Sequence, residues 1–196
     1  MKKILKQLTF EKTKTFADFN DRVEHGGSTR IGKRKLYRPF NSKKAIHLVL
    51  RSTKAHGQWS MLKKRNENTI SRLIYSSAAK NMINIHKFAN SGNHLHVLLK
   101  APSKKAFQKF LRTITGLIAR HVMNARRGYA KGKFWNSLAY TKMILSMHQF
   151  KNTANYIWKN ALEGWGIIPP RSQALGRVKI NFLIDDWLQQ NRIYDG

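Results

Sequence analysis

Residues 89–101 read ANSGNHLHVLLKA, a polar turn that runs into His94-Leu95-His96 and then into an apolar stretch. Side chains two apart on a strand point to the same face. If 94–100 is a strand, His94 and His96 project together while Leu95, Val97 and Leu99 face a core. Two imidazoles so placed can bind one divalent cation, provided a third donor arrives from another element. By itself the triplet is a weak signal, because histidines on the polar face of a strand are commonly solvated surface residues. Its meaning depends on what the rest of the chain brings to it.

The turn NSGN joins this strand to MINIHKFA (82–89), which reads as its hairpin partner. Upstream, KAIHLVLRST (44–53) alternates Ile46, Leu48 and Leu50 with His47, Val49 and Arg51, a strand with one apolar face. His47 can approach the pair if its strand lies alongside, which the pattern leaves open. NENTISRLIYSSAAKN (66–81) has helical spacing. SKKAFQKFLRTITGLIARHVMNARR (103–127) is a long amphipathic helix, with Phe107, Phe110, Leu111, Ile114, Leu117, Ile118 and Val122 on the helical period. FWNSLAYTKMIL (134–145) reads as a fourth strand, and MHQFKNTANYIWKNALEGWG (147–166) as a helix ending near Gly164. This order predicts an α+β fold: an antiparallel sheet of the split βαβ kind, with helices packed mainly on one face. The other face is then free to carry a site.

Charge narrows the partner. The chain has 196 residues, with 38 Lys+Arg against 9 Asp+Glu and a formal net charge of +29. With 41% hydrophobic residues it can still bury a core, so it is not a disordered polycation. A polyanion is the natural partner, and nucleic acid fits better than a membrane because no basic amphipathic anchor dominates. Nothing points to a small-molecule substrate. The absence of cysteine removes disulfides, thiolate zinc sites and cysteine nucleophiles. The amino-terminal stretch does not read as a secretory signal, and no stretch approaches the roughly 18 apolar residues of a membrane span. A soluble, cytoplasmic protein is expected.

Residues 1–42 are polar, basic and rich in breakers, and HGGSTRIGKRKLYRPF carries Arg34, Lys35 and Arg38. This segment reads as a basic amino-terminal arm, either a solvated tail or a clamp on phosphates. Residues 43–168 form the expected domain and 169–196 a carboxy-terminal extension. Between the two halves of the domain, Arg126, Arg127, Lys131 and Lys133 are candidate phosphate contacts. Trp135 or Tyr129 could stack on a base.

A metal site for cutting a phosphodiester needs a ligand and a reacting group from another element, and NYIWKN in the last helix offers both. Tyr156 and Asn160 are four apart, hence on one helix face. Asn160 brings an amide oxygen to a cation. Tyr156 brings a phenol that can attack phosphorus when a metal polarises the phosphate. The competing reading is a tyrosine that packs in the core with a satisfied hydroxyl.

Taken together, GNHLHVLLK, GKFWNSLAYTKMI and TANYIWKNALEGWG resemble the REP-associated tyrosine transposases, within the single-tyrosine HUH transposase superfamily. The resemblance covers about residues 44–166. It implies a ferredoxin- or RRM-like sheet with the histidine pair His94 and His96 on a central strand, Tyr156 as nucleophile and Asn160 as the amide ligand. One departure is Ala161, where the family pattern has proline. A proline would weaken the helix after the amide, so alanine lets it continue toward Gly164.

The activity implied is metal-dependent cleavage and rejoining of single-stranded DNA through a 5′-phosphotyrosine link, at hairpin-forming repeats. Mg or Mn is the expected cofactor. Single-stranded or hairpin DNA is the expected partner, and the oligomeric state, monomer or dimer, stays open. The rival from another class is a non-catalytic RRM-like module that holds single strands on its sheet. That reading leaves the histidine pair and the Tyr156/Asn160 helix without a purpose.

Overall fold

Apolar residues at every second position of the two central strands make a sheet with one fully apolar face, and helices pair with that face to bury it. In the computed structural model, which describes residues 23–28, 31–32, 36–126, 128–129 and 131–169, this takes the following form. Strand β1 is Glu24–His25, β2 Ala45–Arg51, β3 Asn84–Asn90, β4 His94–Lys100 and β5 Tyr140–Ile144; helix α1 is Lys64–Lys80, α2 Lys104–Val122 and α3 Met147–Gly164. The five strands run in the order β1-β5-β2-β4-β3, and all their pairings are antiparallel. The α+β architecture expected from the sequence is the one found.

On one face Ile46, Leu48 and Leu50 of β2 join Leu95, Val97 and Leu99 of β4 beneath α1 and α2. Helix α2 buries Phe107, Phe110, Ile114, Ile118 and Val122, the stripe seen in its sequence. Removing either phenylalanine ring from such a core costs about 3–5 kcal/mol. Ser103 caps α2 by accepting from the Ala106 amide, and Ser146 caps α3 by accepting from the Gln149 amide; such caps hold where a helix begins.

The second face is not left bare. Ile157 and Ala161 of α3 pack on Ala89, Leu98 and Ile144, with Phe150, Ala154 and Trp158 around them. Two helices therefore cover one face, and α3 covers part of the other. Its end is pinned by the β3–β4 hairpin, where the Ser91 hydroxyl donates to the Asn160 carbonyl at 2.9 Å. Ala161 is buried and the helix runs through it to Gly164, as the absence of proline allows.

Three expectations change at the boundaries. The basic arm supplies an element of the sheet: β1 pairs with β5, Glu24 opposite Lys142 and His25 opposite Thr141. The strand expected over 134–145 shortens to β5, because Phe134 is buried in the core and Asn136 is tied by hydrogen bonds to Thr53. The helix expected over 103–127 ends at Val122, and Asn124 takes a positive φ of 50° just beyond it. Arg34, Lys35, Arg127 and all of the carboxy-terminal extension beyond residue 169 lie outside the described residues. Among the described residues no helix is long and apolar enough to cross a membrane.

Candidate active site

β2 and β4 lie side by side, with Val49 opposite His96 and His47 opposite Leu98. The odd positions of β2 and the even positions of β4 therefore share the face that α3 partly covers. His47, His94 and His96 meet there. The His94 and His96 rings are edge-to-face at 4.7 Å between centroids, and His47 stacks on His96 at 5.3 Å with 18° between ring planes. Tyr156 reaches over them from α3, its ring edge-on to His96 at 5.4 Å and to His47 at 6.1 Å. Tyr156 stays about half exposed, whereas His96 is almost fully buried.

Asn160 is buried one turn along from Tyr156, and its amide orientation follows from its partners. Its nitrogen donates to the Tyr156 carbonyl at 2.8 Å, which turns Oδ1 toward His94 Nε2 at 3.2 Å. On the far side of the same ring, Nδ1 meets Asn93 Oδ1 at 2.5 Å. Each ring nitrogen of His94 thus faces a side-chain amide oxygen, and a neutral imidazole carries a proton for only one of them. Nε2 of His96 is buried with no hydrogen-bond partner. Buried polar atoms are rarely left so.

The electrostatics keep these rings uncharged. Burial pulls His47 down to about 4, helped by the nearby Lys142 ammonium. His96 is held well below its ordinary value, by burial first and then by His94 and His47, against a small opposing effect of Asn160. His94 is lowered by burial, with Asn160 acting the other way. At neutral pH the cluster therefore presents lone pairs, which is what a metal requires of histidine. A divalent cation fits this donor set of two imidazole nitrogens and one amide oxygen. Among the described residues no three His, Asp or Glu side chains are arranged to hold a metal by themselves, so a cation held here would need the Asn160 amide as third donor.

The cluster opens into a cleft of about 810 Å³ lined by His47, His94, His96 and Tyr156 together with Arg51, Asn136, Tyr140, Lys142, Gln149 and Asn152. The arm contributes Gly27, Ser28 and Ile31 to its wall. Gly26 is required where the arm meets the sheet: its φ is +80°, and a Cβ would come within 2.2 Å of the Ala139 carbonyl oxygen. Tyr140 also lines the cleft, but burial and then Glu24 push its phenol up to about 12.

Of the residues expected from sequence, His94, His96, Tyr156 and Asn160 come together. Two of the expected DNA contacts make hydrogen bonds within the fold. The Arg38 guanidinium donates to the Ala139 carbonyl at 3.0 Å and also to the Thr141 hydroxyl, and the Trp135 indole donates to the Thr115 carbonyl at 2.9 Å while its ring packs on Phe134. Arg126 and Lys131 are exposed, and Lys133 is exposed with its ammonium on the Asn136 carbonyl; none of the three lines the cleft. The polar residues that do line it, Arg51, Asn136, Lys142, Gln149 and Asn152, were not singled out from sequence. They are scattered over four segments with no shared motif.

The model of a family described as IS200-like transposase matches residues 41–160, a span that ends on Asn160. A solved structure of a REP-associated tyrosine transposase bound to a REP hairpin aligns with a TM-score of 0.49 at 10% identity, over 66% of this chain and 73% of that one. A Deinococcus radiodurans R1 protein assigned as a transposase aligns with a TM-score of 0.39 at 18% identity, over 65% of this chain and 98% of that one. No curated protein matches the chain.

Proposed function

The chain belongs to the IS200-like transposase family, and from that premise we propose that it cuts and rejoins single-stranded DNA by transesterification at Tyr156. The observation that carries the proposal is the placement of a half-exposed phenol edge-on to His96, on the same helix face that turns Asn160 Oδ1 to His94.

In this reading His94 Nε2, His96 Nε2 and Asn160 Oδ1 hold one divalent cation. When bound, that cation supplies charge neutralisation on the non-bridging oxygens of the scissile phosphate. Two imidazoles favour manganese over magnesium, since magnesium prefers an all-oxygen shell. Tyr156 Oη attacks phosphorus; the new bond is Oη–P, and the bond broken is that from phosphorus to the 3′ oxygen. The phenol loses its proton to solvent, and the departing oxygen takes one up as a 3′-hydroxyl. The 5′ end stays as a phosphotyrosine, a diester whose energy lets a 3′-hydroxyl reverse the step without ATP.

Helix α3 fixes the phenol relative to the ligand amide, which supplies the positioning such a displacement needs. The cleft beside the cluster would take a few nucleotides, with the Arg51 guanidinium available to phosphates; the Lys142 ammonium there is paired with Glu24 at 2.8 Å. Hairpin-forming DNA with a short flanking single strand is the proposed substrate.

Incubating the full chain with single-stranded DNA and Mn, then running a denaturing gel and mapping the DNA-linked peptide, tests this directly. A covalent adduct on the Tyr156 peptide is expected. A complex that only dissociates reversibly would favour a binding module, and an adduct on the Tyr140 peptide would overturn the choice of nucleophile.

A further inference from the structure

We infer that His47 is a positioning residue that accepts the Nδ1 proton of His96 and thereby leaves His96 Nε2 bare for the cation. The inference rests on the metal reading above and adds to it a residue outside both the histidine pair and the α3 pattern.

His47 Nε2 lies 3.1 Å from His96 Nδ1, and both side chains are buried. At that distance one proton is shared between two nitrogens, so there are two arrangements. If His47 donates, His96 must carry its own proton on Nε2. That would put a proton on the lone pair needed by the cation, on a buried nitrogen that has no hydrogen-bond partner. If His96 donates from Nδ1 to His47, Nε2 keeps a bare lone pair. The second arrangement leaves His96 ready for a cation. Near-parallel stacking at 5.3 Å also fixes the plane of the His96 ring, and hence the line along which Nε2 points.

Such outer partners hold a ligating imidazole in one tautomer, and their loss commonly weakens metal binding about 10–100-fold. His47 is reached by strand pairing rather than by sequence proximity. It sits diagonally from His96 across the β2–β4 ladder, where large side chains still touch.

Two measurements test this. In the full-length, metal-free wild-type chain labelled with ¹⁵N-histidine, long-range ¹H–¹⁵N correlation should find His96 protonated at Nδ1 and bare at Nε2. A His96 protonated at Nε2 would overturn the inference whether or not any variant folds. Separately, electron paramagnetic resonance counts free Mn in a titration of wild type, His47→Phe and His47→Gln. The phenyl ring keeps the stack without an acceptor and should weaken Mn binding about tenfold or more. The Gln amide oxygen can stand where Nε2 was and should recover most of the loss. Wild-type affinity in His47→Phe, or equal losses in both variants, would overturn the role. A wild-type chain that takes up no Mn would instead sink the metal reading, a failure visible before any variant is compared.

Discussion

His94 and Asn160 meet across the site, Nε2 to Oδ1 at 3.2 Å. In the proposed site both atoms would hold one cation. Removing either side should therefore cost the cation more than the fold. His94→Ala and Asn160→Ala are each expected to lower Mn affinity at least tenfold, while urea midpoints move little for His94→Ala because that side chain is only partly buried. Asn160→Asp keeps an oxygen in place and should retain Mn. Calorimetric titration of the three variants checks this, and undiminished binding in His94→Ala would exclude the assignment.

The buried histidines also set an acid limit on stability. Their folded-state values lie below those of the unfolded chain, with His47 at about 4. Below the ordinary value of about 6.5 the unfolded chain takes up protons that the folded chain refuses, so stability falls as pH drops. The fall should begin near 6.5, run to about 4 for His47 and then level off for that group. Urea unfolding at a series of pH values between 7.5 and 4 measures it. His47→Phe should make the slope shallower; an unchanged slope would show that the ring is not the refusing group.

How far the sequence discloses this site depends on the range of each interaction. β4 runs from His94 to Lys100 as its alternation predicts, and two-residue spacing is enough to put both histidines on one face. Tyr156 and Asn160 are likewise set by a helical period. His47 is different, because its contact with His96 exists only through the β2–β4 register, and alternation is silent on which strands pair. β1 has two residues, too few to show any period. The partial cover of the second face by α3 depends on small side chains such as Ala154 and Ala161 fitting over Leu98, a property of packing rather than of pattern. Arg38 stands in a run of cations that looks uniform, and only the fold shows that a carbonyl waits for this one.

That internal role of Arg38 can be measured. Burial lowers it to about 10, so it remains charged at neutral pH, and its guanidinium bonds the Ala139 carbonyl and the Thr141 hydroxyl next to the cleft. Arg38→Ala should destabilise the chain by roughly 1–3 kcal/mol. Chemical unfolding and filter binding to single-stranded DNA, run side by side, would separate the roles. Unchanged stability with a large loss of DNA affinity would mark Arg38 as a phosphate contact.

DNA binding itself should be strongly salt dependent. The formal charge of +29 makes counterion release the main source of affinity, with a log–log slope of about −0.7 for each phosphate neutralised on a single strand. Fluorescence anisotropy from low to physiological salt should give a slope of several such steps. A flat response would mean that apolar or base contacts dominate instead.

The sharpest test of positioning lies outside the cluster, at Gly164. A Cβ there would sit 2.8 Å from the Asn90 carbonyl oxygen and 3.0 Å from Ser91 Cα. Both are backbone atoms, so neither can swing away. Alanine is the better helix former by about 1 kcal/mol, and in an open helix the change would stabilise. Here the clash should win and lift the end of α3 from the hairpin. The Ser91 bond to the Asn160 carbonyl, 2.9 Å long, runs through the same contact, so Asn160 and Tyr156 should shift together relative to His94 and His96. A misplacement near 1 Å can cost about a hundredfold in rate. Gly164→Ala should therefore lower the single-turnover rate of adduct formation tenfold or more and weaken Mn binding. Metal-free DNA affinity should stay close to wild type, because no cleft-lining cation is removed. Wild-type cleavage by this variant would mean that the grip of the hairpin on α3 does not set the geometry of the site.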